Sequence, residues 1–473
     1  MLATTGPKLG RLEKYGYSTG ALGGGLAFNL VRAFFMIYCT DVLGVSAGFL
    51  AVMFFVARLF DAFTDPVVGT LSENIRTRWG KHKPWVAIGA VLNALVAVAM
   101  FSPWLSGIQN QTTLLAAVTV LYVLFGITYT IIDVPYYAYA ASFTNLKERD
   151  AISVMPRLIG GVAMIGVPAL TLGMVERFGG GSAVQGYFRW ALILMVIYVV
   201  FAMIAAKSMK IREVARREKP LSFREAFRTL RTNDQLMIIV TVFVLGMTAV
   251  SITQSVALFY FLHVWQAPGA YETFMLMAGA GMGIALLLYS FLAKKISRRA
   301  IFLLSMILPA AGYPVMFVIA QLAPTPYWML PLVLTTVGGF GFQGIIHSIF
   351  MVDTVEYGEW KQGYRSENLV FSLLTLIGKF SGAFAALITM GALHFAGYVS
   401  TREGGILGEL AAETAEVITQ PASVNITLSL LMFVVPPFIL VLALWLYLKK
   451  YKLQGEFLEK ISRELEEKRV ATI

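Results

Sequence analysis

Asp61 and Asp65 lie four residues apart in the apolar stretch 51–69 (AVMFFVARLFDAFTDPVVG), with Arg58 three residues ahead of the first. On a helix all three share one face. Two carboxylates one turn apart in a poorly hydrated interior repel each other, so one must hold a proton, a metal ion or a fixed cationic group. An acid inside an apolar span is costly and marks a pathway by default. The chemistry implied is reversible binding of a small cation, as in ion-coupled transport; the alternative is a buried salt bridge that joins helices. A third acid, Asp133, sits in another apolar stretch. Prolines accompany these acids: Pro66 follows Asp65 directly, and Pro135 comes two residues after Asp133. Each proline removes one helix hydrogen bond, which leaves the carbonyls of Ala62 and Ile131 available as oxygen ligands. Thr64 and Thr130 could add hydroxyls to such a set.

Four bases, Arg32, Arg58, Arg157 and Lys379, face the three acids in the apolar stretches, an excess of one positive charge. An anionic substrate group would offset it. Arg32 shares a helix face with Asn29 and Phe35 and reads as a substrate contact, or else as an arginine that snorkels to lipid phosphate. Lys379, with Thr375 one turn before it, lies too deep in its stretch to reach the interface and is assigned with Arg58 to a charge network. Arg157 lies near the start of its span, where a headgroup contact competes with a pathway role. Tyr129, Tyr136, Tyr137 and Trp190 offer rings for stacking, although aromatic residues in membrane helices more often pack or anchor. Tyr137 stands out because it lies one turn from Asp133. Gln254, Gln343 and His347 are polar candidates in the second half of the chain.

These residues need helices to hold them. The chain has 473 residues, of which 58% are hydrophobic and 14% charged, against about a quarter charged in a soluble domain. Twelve runs are long enough to cross a bilayer, near 17–40, 47–70, 84–104, 112–138, 155–175, 187–207, 235–262, 271–293, 300–321, 326–350, 368–396 and 424–448. The expectation is an all-α, multi-pass protein of the plasma (cell inner) membrane, with the lipid bilayer as its surroundings. Basic residues alternate between loops: Lys8, Arg11 and Lys14 precede the first span, Arg76, Arg78, Lys81 and Lys83 follow the second, and nine lie from Lys207 to Arg231. This bias predicts that both termini are cytoplasmic. It also accounts for most of the net charge of +11, so the composition gives no reason to expect nucleic acid as a partner. A single cysteine, Cys39, excludes an intrachain disulfide and a cysteine metal cluster. Residues 16–20 (GYSTG) match a nucleophile-elbow pattern but open a membrane helix, so no enzyme chemistry is assigned.

The basic loop 208–234 divides the helices six and six, which predicts bundles at 1–207 and 235–449 and a cytoplasmic tail at 450–473. Two amphipathic helices are expected, one in the loop with Phe223, Phe227 and Leu230 on one face, the other in the tail with Phe457, Ile461 and Leu465. The tight basic turns after spans 2 and 8 form a weak repeat. This topology suggests the major facilitator architecture, with substrate bound between the halves.

The motifs at 38–44 (YCTDVLG), 57–69 (ARLFDAFTDPVVG), 78–85 (RWGKHKPW), 126–136 (GITYTIIDVPY), 353–359 (DTVEYGE) and 379–386 (KFSGAFAA), with Pro156 and Arg157, carry a resemblance over nearly the whole chain. It resembles the glycoside–pentoside–hexuronide:cation symporters. The resemblance implies alternating-access symport of a sugar or glycoside with Na⁺ or H⁺, no other cofactor, and a functional monomer. It also implies that Asp61, Asp65 and Thr130 belong to the cation site, which would be a metal site if the ion is Na⁺, and that Lys379 neighbours it. Asp133, Arg157 and Tyr137 would contact the sugar. Departures from the family's type member matter as well. Thr64 replaces an asparagine, Gly24 and Gly25 replace a Lys-Asp pair, and Arg32 replaces a tyrosine. Losing an acid and gaining a base favours an acidic sugar such as a uronide. The rivals are a transporter of an amphiphile such as a lysolipid and a membrane receptor that senses substrate without moving it.

Overall fold

The structure is a computed structural model that describes residues 10–75, 77–80, 82–139, 146–210, 232–363, 367–400 and 420–471. The loop segment with Phe223, Phe227 and Leu230 lies outside the described residues, as do the side chains of Asp65, Arg157 and Thr375.

Apolar runs become helices because each backbone polar group must be satisfied within its own segment when no water is at hand. In order they are α1 (Arg11–Ile37), α2 (Ala47–Asn74), α3 (Lys83–Met100), α4 (Gln111–Ala138), α5 (Leu146–Gly179), α6 (Ala183–Ser208), α7 (Asp234–Phe259), α8 (Pro268–Leu292), α9 (Arg298–Leu322), α10 (Gln343–Gln362), α11 (Glu367–Phe395), α12 (Ala422–Lys450) and a tail helix α13 (Gly455–Ala471). Short helical turns from Pro326 to Phe342 lead into α10. α12 breaks at Val434, just ahead of Pro436 and Pro437, which have no N–H to continue the ladder. Several helices start on a polar cap that accepts a backbone N–H: Ser46 for α2, Asn110 for α4, Ser182 for α6, Asn233 for α7 and Ser297 for α9.

Among the described residues, eleven helical stretches are long and apolar enough to cross a membrane. α2 is the twelfth helix of spanning length, with 28 residues, or about 42 Å. It carries Arg58, Asp61 and Asp65.

The chain divides into two compact units. The first comprises 1–217, 261–276 and 390–425; the second comprises 218–260, 277–389 and 426–473. In the first unit α1 packs on α5 and α6, α3 on α4 and α6, and α2 on α4. Close α1–α5 contact depends on small residues: a Cβ at Gly25 would overlap Ala163, and one at Gly160 would press on the Ala21 carbonyl. In the second unit the core gathers Phe243, Phe302, Phe350, Met351 and Tyr447. The tail helix docks on this unit, with Leu458, Ile461 and Leu465 buried in the core and Glu464 accepting from Trp360 Nε1 at 2.7 Å.

Candidate cation and substrate site

α2 and α4 place the principal acids in the first unit. Asp61 is buried on α2, and its carboxylate lies 3.6 Å from the guanidinium of Arg58, one turn earlier. Arg58 is also held over two rings, 5.8 Å from the centre of Phe28 on α1 and 5.9 Å from that of Tyr122 on α4. Together with the ion pair, these contacts keep a cation inside the bundle. Thr64 Oγ1 donates to the main-chain carbonyl of Asp61 at 3.1 Å. The hydroxyl remains able to accept or ligate through its lone pairs.

Gly126 on α4 determines where the Asp61 carboxylate can sit. A methyl group at that position would overlap Asp61 Oδ1. Asn93 on α3 braces the same segment, fully buried, with its amide donating to the Phe125 carbonyl at 3.1 Å and to Thr128 Oγ1 at 2.9 Å. Neither residue is among those the sequence reading assigned to the site. Spacing could have found Gly126, because Gly126, Thr130, Asp133 and Tyr137 fall at i, i+4, i+7 and i+11 on one face of α4. A lone asparagine in the apolar run of α3 was the signal for Asn93.

Farther along that face Thr130 is buried, Asp133 is half-buried and Tyr137 is exposed. Tyr129 and Asp133 interact through their side chains one turn apart. The Tyr129 ring lies 5.1 Å from that of Phe28 and 6.0 Å from that of Phe125. Tyr136 turns away into a clasp with Tyr17, in which each hydroxyl donates to the other residue's carbonyl, at 2.6 and 2.7 Å, and the rings stack at 4.3 Å. That clasp joins α1 to α4 and leaves Tyr137 as the accessible ring. Trp190 is likewise structural: it is buried and donates to Thr171 Oγ1 at 3.1 Å.

On α1, Arg32 is exposed and close enough to Arg58 for the two charges to oppose each other. Asn29 is buried and donates its amide to the Gly25 carbonyl of its own helix at 2.8 Å. Gly24 faces open space, whereas Gly25 fills the contact with α5. In the second unit Lys379 is half-buried on α11. Gln343 and His347 are buried there, His347 with its ring 3.8 Å from that of Phe243, and Gln254 is half-buried. The side chains of Asp65, Arg157 and Thr375 fall outside the described residues.

Two features therefore stand in one unit: a buried carboxylate beside Arg58, with Thr64 one turn away, and an exposed arginine that faces the same Arg58. Residues 16–455 match the family described as MFS/sugar transport protein. The chain belongs to that family. It is a transporter rather than an enzyme, a multi-pass membrane protein that moves a small molecule together with a cation. The resemblance to the glycoside–pentoside–hexuronide:cation symporters is borne out. The isoprimeverose transporter of Lactiplantibacillus pentosus is 28% identical over 399 residues, covering 82% of this chain and 81% of that protein. The inner membrane symporter YicJ of Escherichia coli (strain K12) is 29% identical, covering 82% and 83%. A glucuronide carrier protein homolog from the same strain is 26% identical, covering 82% and 84%. Among solved structures, an inward-facing, unoccupied bacterial homolog of the human lysosomal transporter Spinster superposes with a TM-score of 0.66 at 14% identity, over 93% of this chain and 97% of that one. That likeness establishes the major facilitator fold.

Proposed function

We propose that the chain carries out alternating-access symport of a sugar or glycoside bearing an acidic group, such as a uronide, coupled to Na⁺ or H⁺. The observation that carries this reading is Arg32, exposed on α1 beside Arg58, with Asp133 and Tyr137 on the neighbouring helix face. Two arginines that oppose each other across a site create a standing preference for an anion. A carboxylate on the substrate relieves their repulsion and takes a two-pronged contact from a guanidinium. Tyr137 supplies a face for the sugar ring, and Asp133 accepts from its hydroxyls. Arg157 is a further substrate contact on this reading.

The coupling ion sits with Asp61, Asp65, Thr64 and Thr130, and no other cofactor takes part. Its charge replaces part of what Arg58 offers Asp61, so cation and anionic substrate each favour the other's binding by one reciprocal free energy. Lys379 and Thr375 complete the charge network. The relatives' names, a transporter of isoprimeverose, an inner membrane symporter and a glucuronide carrier homolog, support a glycoside substrate and a place in the cell inner membrane. The basic loops support cytoplasmic termini, and one chain in the bilayer is the working unit.

Competitive uptake of a uronide and a neutral glycoside tests the proposal. Losing a charge-assisted contact is worth about 1.5–3 kcal/mol, so Arg32→Ala should raise the KM for the uronide by roughly tenfold to a hundredfold and leave the neutral glycoside unchanged. Equal effects on both substrates, or none on either, would overturn the acidic-sugar assignment.

A further inference from the structure

Three chain segments meet in a buried polar cluster at the end of the first unit that the loop charges place outside. Asp41 lies in a π-helical turn, Tyr38–Val42, that ends α1; His263 lies in a second π-helical turn, Tyr260–Val264, that ends α7; and Tyr398 follows α11. π-turns widen a helix locally and recur at functional positions. Here both present a side chain to the same point. Asp41 Oδ1 accepts from the Tyr398 hydroxyl at 2.5 Å and from Thr40 Oγ1 at 2.7 Å. Asp41 Oδ2 lies 3.1 Å from His263 Nε2, and the Tyr398 hydroxyl lies 2.8 Å from the same nitrogen. The three residues are 2%, 7% and 8% exposed, so the contact excludes water.

The neighbouring backbone is fitted to hold this arrangement. Ser400 Oγ donates to the Val45 carbonyl at 3.0 Å, and the Gln420 side chain bonds both the N–H and the carbonyl of Val399 at 3.0 Å. Gly48, at the start of α2, leaves space that the imidazole of His394 fills. Asp41 comes from the first six spans, whereas His263 and Tyr398 come from the last six. A cycle that opens the site to the outside by rocking one set of six against the other must separate them.

We propose that Asp41, His263 and Tyr398 form the outer latch of the transport cycle, holding the outward path shut and setting how often it opens. None of the three touches the substrate in this role. They are positioning residues, and their effect lies in the balance between conformations. A buried, mutually bonded carboxylate, imidazole and phenol is stable only as a complete set, because each partner removed leaves the others unmatched. That makes the contact two-state rather than graded.

The test uses the full chain with Cys39→Ser as background and spin labels on cysteines introduced at Thr112 and Phe395, both exposed in the first unit. Pulsed distance measurements in liposomes should give one main population for the parent. Tyr398→Phe and His263→Gln should each add a longer-distance population. If the outward-competent fraction rises from about one in ten to one in three, the apparent KM for substrate offered outside falls about threefold. The turnover rate falls as well, since reclosing loses its contacts. A role confined to packing would lower expression or turnover with unchanged distances and KM, and that result would overturn the latch. Asp41→Asn keeps the shape and gives an independent check: it should shift the distances in the same direction, and failure to do so counts against the proposal.

Discussion

At the residue scale the proposed cation site rests on how one carboxylate is placed. Around Asp61 the hydroxyl of Thr64 bonds the main-chain carbonyl, while the carboxylate meets the charge of Arg58 and the bare surface of Gly126. The last is steric and therefore the easiest to test. Gly126→Ala inserts a methyl where Oδ1 sits, and overpacking of this kind costs about 1–3 kcal/mol, so cation affinity should fall by roughly tenfold or more. Gly166→Ala, where the added methyl meets nothing within 4 Å, should leave affinity unchanged. Cation-dependent fluorescence or calorimetric titration of both variants decides the matter, and equal affinities would remove Gly126 from the site. The acids themselves were legible in the sequence, because charge in an apolar run stands out at once. Gly126 and Asn93 were less so: a glycine and an asparagine become informative only when a neighbouring helix is known to lie against them.

At the scale of the elements, most of the helices were legible and their ends were not. The length of the apolar runs located twelve spans, but the π-turns that end α1 and α7 and the broken turns before α10 have no distinct composition. They arise where tertiary contacts outweigh the regular ladder. This is why Asp41 was read as part of a motif but not as a buried charge. The tail helix was legible from its four-residue spacing, though its partner was not. It covers the core of the second unit through Leu458, Ile461 and Leu465, tied by Glu464 to Trp360 and by Ser462 Oγ to Glu356 at 3.1 Å. Truncating one buried aliphatic side chain costs about 2–4 kcal/mol. Ile461→Ala should therefore release the tail to proteolysis while substrate affinity stays within about twofold, since local opening need not involve the bundle. Protease resistance equal to the parent's would show that the helix is held by other means.

At the scale of the whole molecule, the central claim is that the buried acid of α2 couples an ion gradient to uptake of a small molecule. Coupling has a defined size. A membrane potential supplies about 2.3 kcal/mol per charge per 100 mV, which corresponds to roughly fiftyfold accumulation for one cation per substrate. Exchange of labelled for unlabelled substrate requires none of that energy, because the carrier returns loaded. The two activities therefore separate when only coupling is lost. The most direct measurement is substrate-induced cation uptake in proteoliposomes, with a uronide and a neutral glycoside under Na⁺ or H⁺ gradients, beside Asp61→Asn. The account predicts that substrate draws the cation inward in the parent and that Asp61→Asn abolishes both this and gradient-driven accumulation while exchange continues. Accumulation by Asp61→Asn equal to the parent's would contradict it.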